Sequence, residues 1–250
     1  MATQTVIETK ELSKYYGQQA AVEGLTLQVQ EGEIFGFLGP NGAGKTTTIL
    51  MLLGLTEPSQ GEARVCGFNP IREPLKVKRL VGYLPENVGF YRDMTARENL
   101  RYVARLNKIP DRTSSDKIDE ALDIVGLSGE ARKKVGAFSR GMSQRLGIAE
   151  VLIKDPKICF LDEPTLGLDP DGAIRMIELI ESLSRDRKIT MLISSHNLEQ
   201  VQRISHRVGI MIKGKLVAVG PMGDLAKEKL GMGKEKYTLE EIYMKYFHEV

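Results

Sequence analysis

The segment Gly39-Pro40-Asn41-Gly42-Ala43-Gly44-Lys45-Thr46 satisfies every fixed position of G-x-x-x-x-G-K-[ST], a loop that grips a nucleoside triphosphate. Its glycines let successive backbone N–H groups turn inward around the phosphates, and a helix read from Thr47 onward presents its positive N-terminal end to the same anion. Lys45 is expected to reach the β- and γ-phosphates and Thr46 to ligate Mg²⁺. A second group of residues suits hydrolysis. Ile158-Cys159-Phe160-Leu161-Asp162-Glu163 is an apolar run ending in two carboxylates, which puts both acids at the carboxyl edge of a buried strand, where open α/β sheets bind ligands. There Asp162 can hold Mg²⁺, directly or through water, and Glu163 can accept the proton of a water in line with the γ-phosphate.

With Pro164-Thr165-Leu166-Gly167-Leu168-Asp169 directly after the acids, the chain resembles the nucleotide-binding subunits of ATP-binding cassette (ABC) transporters. Three further segments stand in the order that resemblance requires: Tyr16 before Gly17, Phe138-Ser139-Arg140-Gly141-Met142 at the signature position, and Ser195-His196 after the last core strand. The likeness spans residues 5–220. It implies an ATPase in which two subunits sandwich ATP, the phosphate loop of one facing the signature of the other, so that Ser139, Arg140, Gly141 and Met142 act in trans. A helix expected to begin near Ser143 would aim its positive end at that γ-phosphate. The resemblance further implies that Tyr16 stacks on adenine with Val22 against the same ring. His196 would touch the γ-phosphate and orient the attacking water, and Asp169 would carry communication across the dimer. The blander alternatives are a core aromatic for Tyr16 and a plain helix cap for Ser139.

Two departures stand out. The commonest signature is Leu-Ser-Gly-Gly-Gln, whereas Phe138, Arg140 and Met142 occupy its first, third and fifth positions here. Glu86, in Gly82-Tyr83-Leu84-Pro85-Glu86, stands where glutamine is usual and offers a carboxylate to Mg²⁺ or its waters. Both variants are similar to the exporter-type branch with separately encoded membrane subunits, the ABC-2 group.

The elements that must position these residues read as an α/β fold, a phosphate-loop core with a parallel sheet, an antiparallel β subdomain and a helical insertion. Short apolar runs alternating with turns over residues 5–38 suggest antiparallel strands leading into the strand Glu33–Leu38. From about residue 87 to 152 the period becomes helical, with Leu100, Val103 and Leu106 on one face and Ile118, Leu122 and Val125 on another. Between them Pro110–Asp116 reads as a polar turn with Ser115 or Asp116 as a helix cap. Strands at Ile158–Leu161 and Ile189–Ile193 flank a helix from about Gly172 to Leu183, a parallel crossover. Val208–Gly220 reads as a hairpin turning at Lys213–Lys215, and residues 221–250 as a charged helical tail whose Lys227-Glu228-Lys229 and Lys234-Glu235-Lys236 are solvated.

Composition narrows the class. With 42% hydrophobic and 27% charged residues over 250 positions, the chain has the make-up of a globular protein. A net charge of +2, with acids interspersed among the bases, gives no basic face, so no nucleic-acid partner is expected. Cys66 and Cys159 lack metal or disulfide spacing, and Cys159 reads as a buried strand residue. No stretch approaches the ~18 apolar residues of a membrane span and the N-terminus carries no leader pattern. The expectation is a cytoplasmic protein, peripheral on the cytoplasmic face of the membrane, that pairs with a second ATPase subunit, identical or not, and with a separately encoded permease. The alternative is a soluble ABC ATPase acting on ribosomes or DNA.

Overall fold

The computed structural model describes residues 4–230 and 238–248. In the first sheet β1 (Thr5–Tyr16) and β2 (Gln19–Gln30) form a long antiparallel hairpin, with β4 (Gln60–Val65) on the other edge of β1. Alternation dictates its orientation: Val22, Leu25, Leu27 and Val29 are buried while Glu23, Thr26 and Gln28 face out.

The second sheet has the order β5 (Val81–Leu84), β6 (Ile158–Asp162), β7 (Thr190–Ser195), β3 (Ile34–Leu38), β8 (Arg207–Ile212), β9 (Lys215–Gly220). Its first five strands run parallel and β9 returns antiparallel, closing the expected hairpin. Every residue of β3, β6 and β7 is buried, which is why these segments read as unbroken apolar runs rather than alternating ones. Register aligns Leu38 with Ser195 and Asp162 with Ser194, so the carboxyl ends of the three central strands lie side by side. Around the sheet lie α1 (Lys45–Leu52), α2 (Pro74–Leu80), α6 (Pro170–Arg187) and α7 (Leu198–Ile204).

Gly36 of β3 faces α7 without room for a side chain: a Cβ there would lie 2.2 Å from Val201 Cγ1 and 2.8 Å from Ser205 Oγ. Gly36→Ala is expected to cost about 1–3 kcal/mol by overpacking, read as a lower urea midpoint, and Val201→Ala in the same chain should recover part of it. An unchanged midpoint in the single variant would contradict this packing.

The helical insertion consists of α3 (Ala96–Leu106), α4 (Asp111–Ile124) and α5 (Arg140–Leu152). A capping box of Thr95 and Glu98 starts α3. Its buried face is Ala96, Asn99, Leu100 and Ala104, so the expected stripe through Leu106 fails: the contact follows the i, i+4 row, and Leu106 is 64% exposed. Ile118, Leu122 and Val125 are buried as expected. The polar stretch before them is not a turn. Helix α4 starts at Asp111, because Pro110 holds φ at −59° and the hydroxyls of Thr113 and Ser114 donate to the carbonyls of Pro110 and Asp111. Ser115 and Asp116 therefore sit inside the helix rather than capping it. Helix α5 likewise begins at Arg140, not near Ser143, with Ser139 as its cap.

Two further helices, α8 (Met222–Leu230) and α9 (Leu239–His248), bury Leu225, Leu239, Ile242 and Tyr246 in a cluster with Val201 and Val208. Lys227 and Glu228 are exposed as expected, whereas Lys234-Glu235-Lys236 lies outside the described residues. Both cysteines are free, and burial pushes the Cys159 thiol up to about 12. Among the described residues no helix is long and apolar enough to cross a membrane.

Candidate functional site

The loop from Gly39 to Gly44 joins β3 to α1 at the carboxyl edge of the parallel sheet. Gly44 is the N-cap of α1 at φ +102°, and a Cβ there would lie 2.3 Å from the Ala21 carbonyl oxygen, so only glycine fits. No side chain caps this end and no acid sits in its first turn, which leaves its N–H groups and positive dipole aimed at the pocket. Lys45 is 6% exposed, its Nζ donating to the Gly39 carbonyl at 2.7 Å and the Pro40 carbonyl at 3.3 Å. The loop thus holds its own lysine over the site.

Opposite it, Asp162 ends β6. Its Oδ2 accepts from Thr46 Oγ1 at 2.8 Å, and its Oδ1 takes a short hydrogen bond from the Ser194 hydroxyl. These oxygen donors suit a hard divalent cation. Glu163 stands at φ +50°, a strained conformation for a non-glycine residue, fixed by its N–H donating to the Ser194 carbonyl at 3.1 Å and the Ser194 hydroxyl at 3.2 Å. One carboxylate oxygen, Oε2, meets His196 Nδ1 at 2.8 Å. The other, Oε1, is buried without a hydrogen-bond partner, 3.5 Å from Lys45 Nζ. A carboxylate buried this way, oriented by a histidine and facing the lysine of the phosphate loop, is arranged to accept a proton from a group placed between them.

A pocket of about 380 Å³ gathers Asn41–Thr47 with Tyr16, Glu86, Asp162 and Glu163. Tyr16 is 54% exposed at its rim rather than a core residue, and Glu86 is exposed. Tyr83 lies near these carboxylates: burial first, then the charges of Asp162 and Glu86, push its phenol up to about 12, so it stays protonated. Val22 does not reach the pocket. The β1–β2 register turns it into the core, fully buried beneath Gly44, so it offers no surface to a base. His196 contacts Glu163 from outside the lining, and Gly39 and Pro40 contribute carbonyls to Lys45.

The signature residues are elsewhere. Ser139 Oγ accepts from the Met142 N–H at 3.2 Å, capping α5, and Ser139–Met142 line a separate cavity of about 310 Å³ with Asp169, which caps α6 through the Gly172 N–H. That cavity and the phosphate-loop pocket share no residue.

Sequence reasoning missed Ser194, which anchors both acids, and Gln19 and Ala21, which line the pocket. Ser194 had a signal, since a polar residue in an otherwise apolar buried strand needs a partner. Gln144 was also missed: it is 1% exposed and donates to the Glu86 carbonyl at 3.3 Å, tying α5 to the pocket rim.

The family model described as ABC transporter matches residues 22–166. The chain belongs to the ABC transporter family. Bacitracin transport ATP-binding protein BcrA of Bacillus licheniformis is 47% identical over 89% of this chain and 72% of its own length. Linearmycin resistance ATP-binding protein LnrL of Bacillus subtilis is 34% identical over 88% of this chain and 70% of its own length. The solved "Structure of ATP binding subunit of ABC transporter" superposes with a TM-score of 0.85 at 29% identity, covering 97% of this chain and all of that one. This ABC chain is an ATP-binding, ATP-hydrolysing subunit that couples hydrolysis to transport, and its α/β phosphate-loop core is the one expected. The family model is that of a transporter and the first of these relatives is named for transport, so the ribosome- or DNA-directed alternative is not carried further.

Proposed function

We propose that this subunit hydrolyses ATP at the edge of β3, β6 and β7, with Glu163 as general base, Lys45 and the loop N–H groups as phosphate ligands and His196 as the group that orients Glu163 and the attacking water. The single observation behind it is the buried Glu163 carboxylate, one oxygen on His196 and the other unpartnered beside Lys45. ATP phosphate oxygens replace the Gly39 and Pro40 carbonyls as partners of Lys45. Glu163 then receives the proton of the in-line water, while His196 shares the charge through Oε2. Thr46 and Asp162 would hold Mg²⁺, with the Glu86 carboxylate in the same pocket, and the ion would supply positive charge to offset that of the phosphates. Among the described residues no group of three or more His, Cys, Asp or Glu forms a metal site, in keeping with an ion shared with phosphates. Tyr16 at the rim stacks on the base.

The separation of the signature cavity from the phosphate loop supports action in trans: Ser139, Arg140, Gly141 and Met142 meet the nucleotide of a second subunit, and Asp169 lies at that seam. A separately encoded permease on the membrane takes up the motion, with the exposed Tyr91, Tyr102 and Leu106 of the insertion offering it an apolar surface and the ATPase on the cytoplasmic face. The names of the relatives, bacitracin transport and linearmycin resistance, extend the reading to export of an antimicrobial compound. The test is the mass of purified Glu163→Gln protein with and without Mg·ATP. Doubling on ATP addition, blocked by Lys45→Ala, is expected. A monomer that binds ATP would rule out the two-copy sandwich.

A further inference from the structure

We infer that Gly214, in the turn between β8 and β9, is a positioning residue for phosphate binding: its N–H holds the Ala43 carbonyl and thereby turns the Gly44 N–H toward the nucleotide. The inference rests on the phosphate-loop reading above and adds to it a residue, far along the chain, that aims one of the loop's donors.

The turn is tight. Ile212 pairs with Lys215, so the connection is the two residues Lys213 and Gly214, at φ +49° and +84°, the positive values of a type I′ hairpin. Such a turn explains a glycine at 214 but leaves the N–H of that residue outside the strand ladder. Here the N–H is directed to another segment. It donates to the Ala43 carbonyl at 3.2 Å, while the Gly214 carbonyl accepts from the Glu23 N–H at 2.8 Å. One residue therefore bridges the phosphate loop and β2. The bridge is closely packed: a Cβ on Gly214 would lie 3.2 Å from the Ala21 carbonyl oxygen, the same atom that excludes a Cβ from Gly44. Just before the turn, the Met211 carbonyl oxygen would lie 2.4 Å from a Cβ on Gly39, so β8 backs the loop at its other end as well.

The peptide unit makes this contact directional. Across the trans Ala43–Gly44 peptide the C=O and the N–H point opposite ways. Gly214 and Met211 stand behind the loop, outside the lining of the phosphate-loop pocket, whereas Ala43 and Gly44 line it. Fixing the Ala43 carbonyl toward the turn therefore points the Gly44 N–H into the pocket. Among the described residues that N–H has no hydrogen-bond acceptor, while the Ala43 N–H before it is committed to the Pro40 carbonyl at 3.1 Å. An unpaired donor beside Lys45 suits a phosphate oxygen. Without the turn, nothing would restrain this peptide: Gly44 resists rotation least of any residue, and the buried Ala43 carbonyl would seek another donor.

The experiment measures Kd for ATP and, by displacement of a fluorescent ATP analogue, for tripolyphosphate, alongside urea midpoints, in Gly214→Pro, Gly214→Ala and Gly214→Asn. Proline has no N–H, alanine keeps it but disfavours a positive φ, and asparagine keeps it and tolerates that φ. Gly214→Pro should raise both Kd values by about 10- to 100-fold, the size of one lost hydrogen bond to a charged group, and Gly214→Ala by about 3- to 10-fold. Gly214→Asn should stay within about 3-fold of the parent. Equal losses for ATP and tripolyphosphate place the effect on the phosphates rather than the base. A lowered urea midpoint with both Kd values unchanged would make the turn a structural element only and overturn the proposal. So would a loss for ATP that tripolyphosphate does not share. Should Gly214→Pro not fold, the other two variants decide: parental affinity in Gly214→Ala would overturn the proposal, and weakening that Gly214→Asn relieves would support it. Lys45→Ala tests the underlying reading separately, because undiminished tripolyphosphate binding there would overturn the phosphate loop as the site, and the role of Gly214 with it.

Discussion

Glu163→Gln is expected to lower turnover by about 10²- to 10⁴-fold while ATP binding tightens, the larger effect being the loss of the proposed general base. Glutamine keeps the shape of the side chain and can still meet His196 Nδ1, so the geometry around Asp162 and Ser194 should persist. Only the basicity goes. The tighter binding follows from the buried pair. Lys45 and Glu163 have side chains 6% and 8% exposed and stand 3.5 Å apart, and the carboxylate both competes with phosphate for the lysine and repels the γ-phosphate. Removing its charge frees the lysine. Single-turnover kinetics and equilibrium binding of Mg·ATP check the two halves separately. Near wild-type turnover in this variant would remove Glu163 from the role of base, and weaker ATP binding would contradict the competition for Lys45.

Lys45→Ala is expected to weaken ATP binding by about 100-fold or more, because it removes the buried ammonium proposed to donate charge-assisted hydrogen bonds to the phosphates. It should also destabilise the protein before any nucleotide is added. The variant leaves Glu163 buried beside an alanine, with His196 as its remaining partner, and an uncompensated buried carboxylate costs about 3 kcal/mol. Urea unfolding of Lys45→Ala, Glu163→Gln and the double variant makes this a closed cycle. The double variant is expected to recover much of the stability that Lys45→Ala loses, without recovering ATP affinity. Additive losses would mean that the ion pair has no energetic weight in the fold.

Most of the candidate site was legible because phosphate chemistry constrains the chain locally. A loop that wraps phosphates needs Gly44 at a positive φ, and a helix beginning at Lys45 needs no more than the next few residues. The central strands were legible as apolar runs because both faces of β3, β6 and β7 are covered. Reading failed where the deciding contact came from elsewhere in the chain. The buried face of α3 is chosen by α4 and α5, so Leu106 faces solvent despite its residue type. Val22 suited a base-stacking role by resemblance, but its place in the β1–β2 register turns it into the core. The start of α4 was misread because Thr113 and Ser114 look like turn formers until their hydroxyls are seen donating back to the Pro110 and Asp111 carbonyls.

Residue type and spacing set out the chemistry on offer: a phosphate loop, a pair of strand-end acids, a histidine after a strand, and the family they indicate together. Those signals are short and are set by local backbone requirements. How they meet depends on packing between distant segments. The order β6–β7–β3 lays three carboxyl ends side by side, so that Ser194 of one strand fixes both acids of its neighbour and His196 turns onto Glu163. The same packing places Ser139 in a cavity apart from its own phosphate loop and rests Arg140 on Gly167. Neither arrangement is written in any one segment, because each arises from strand order and helix packing between residues far apart in the chain.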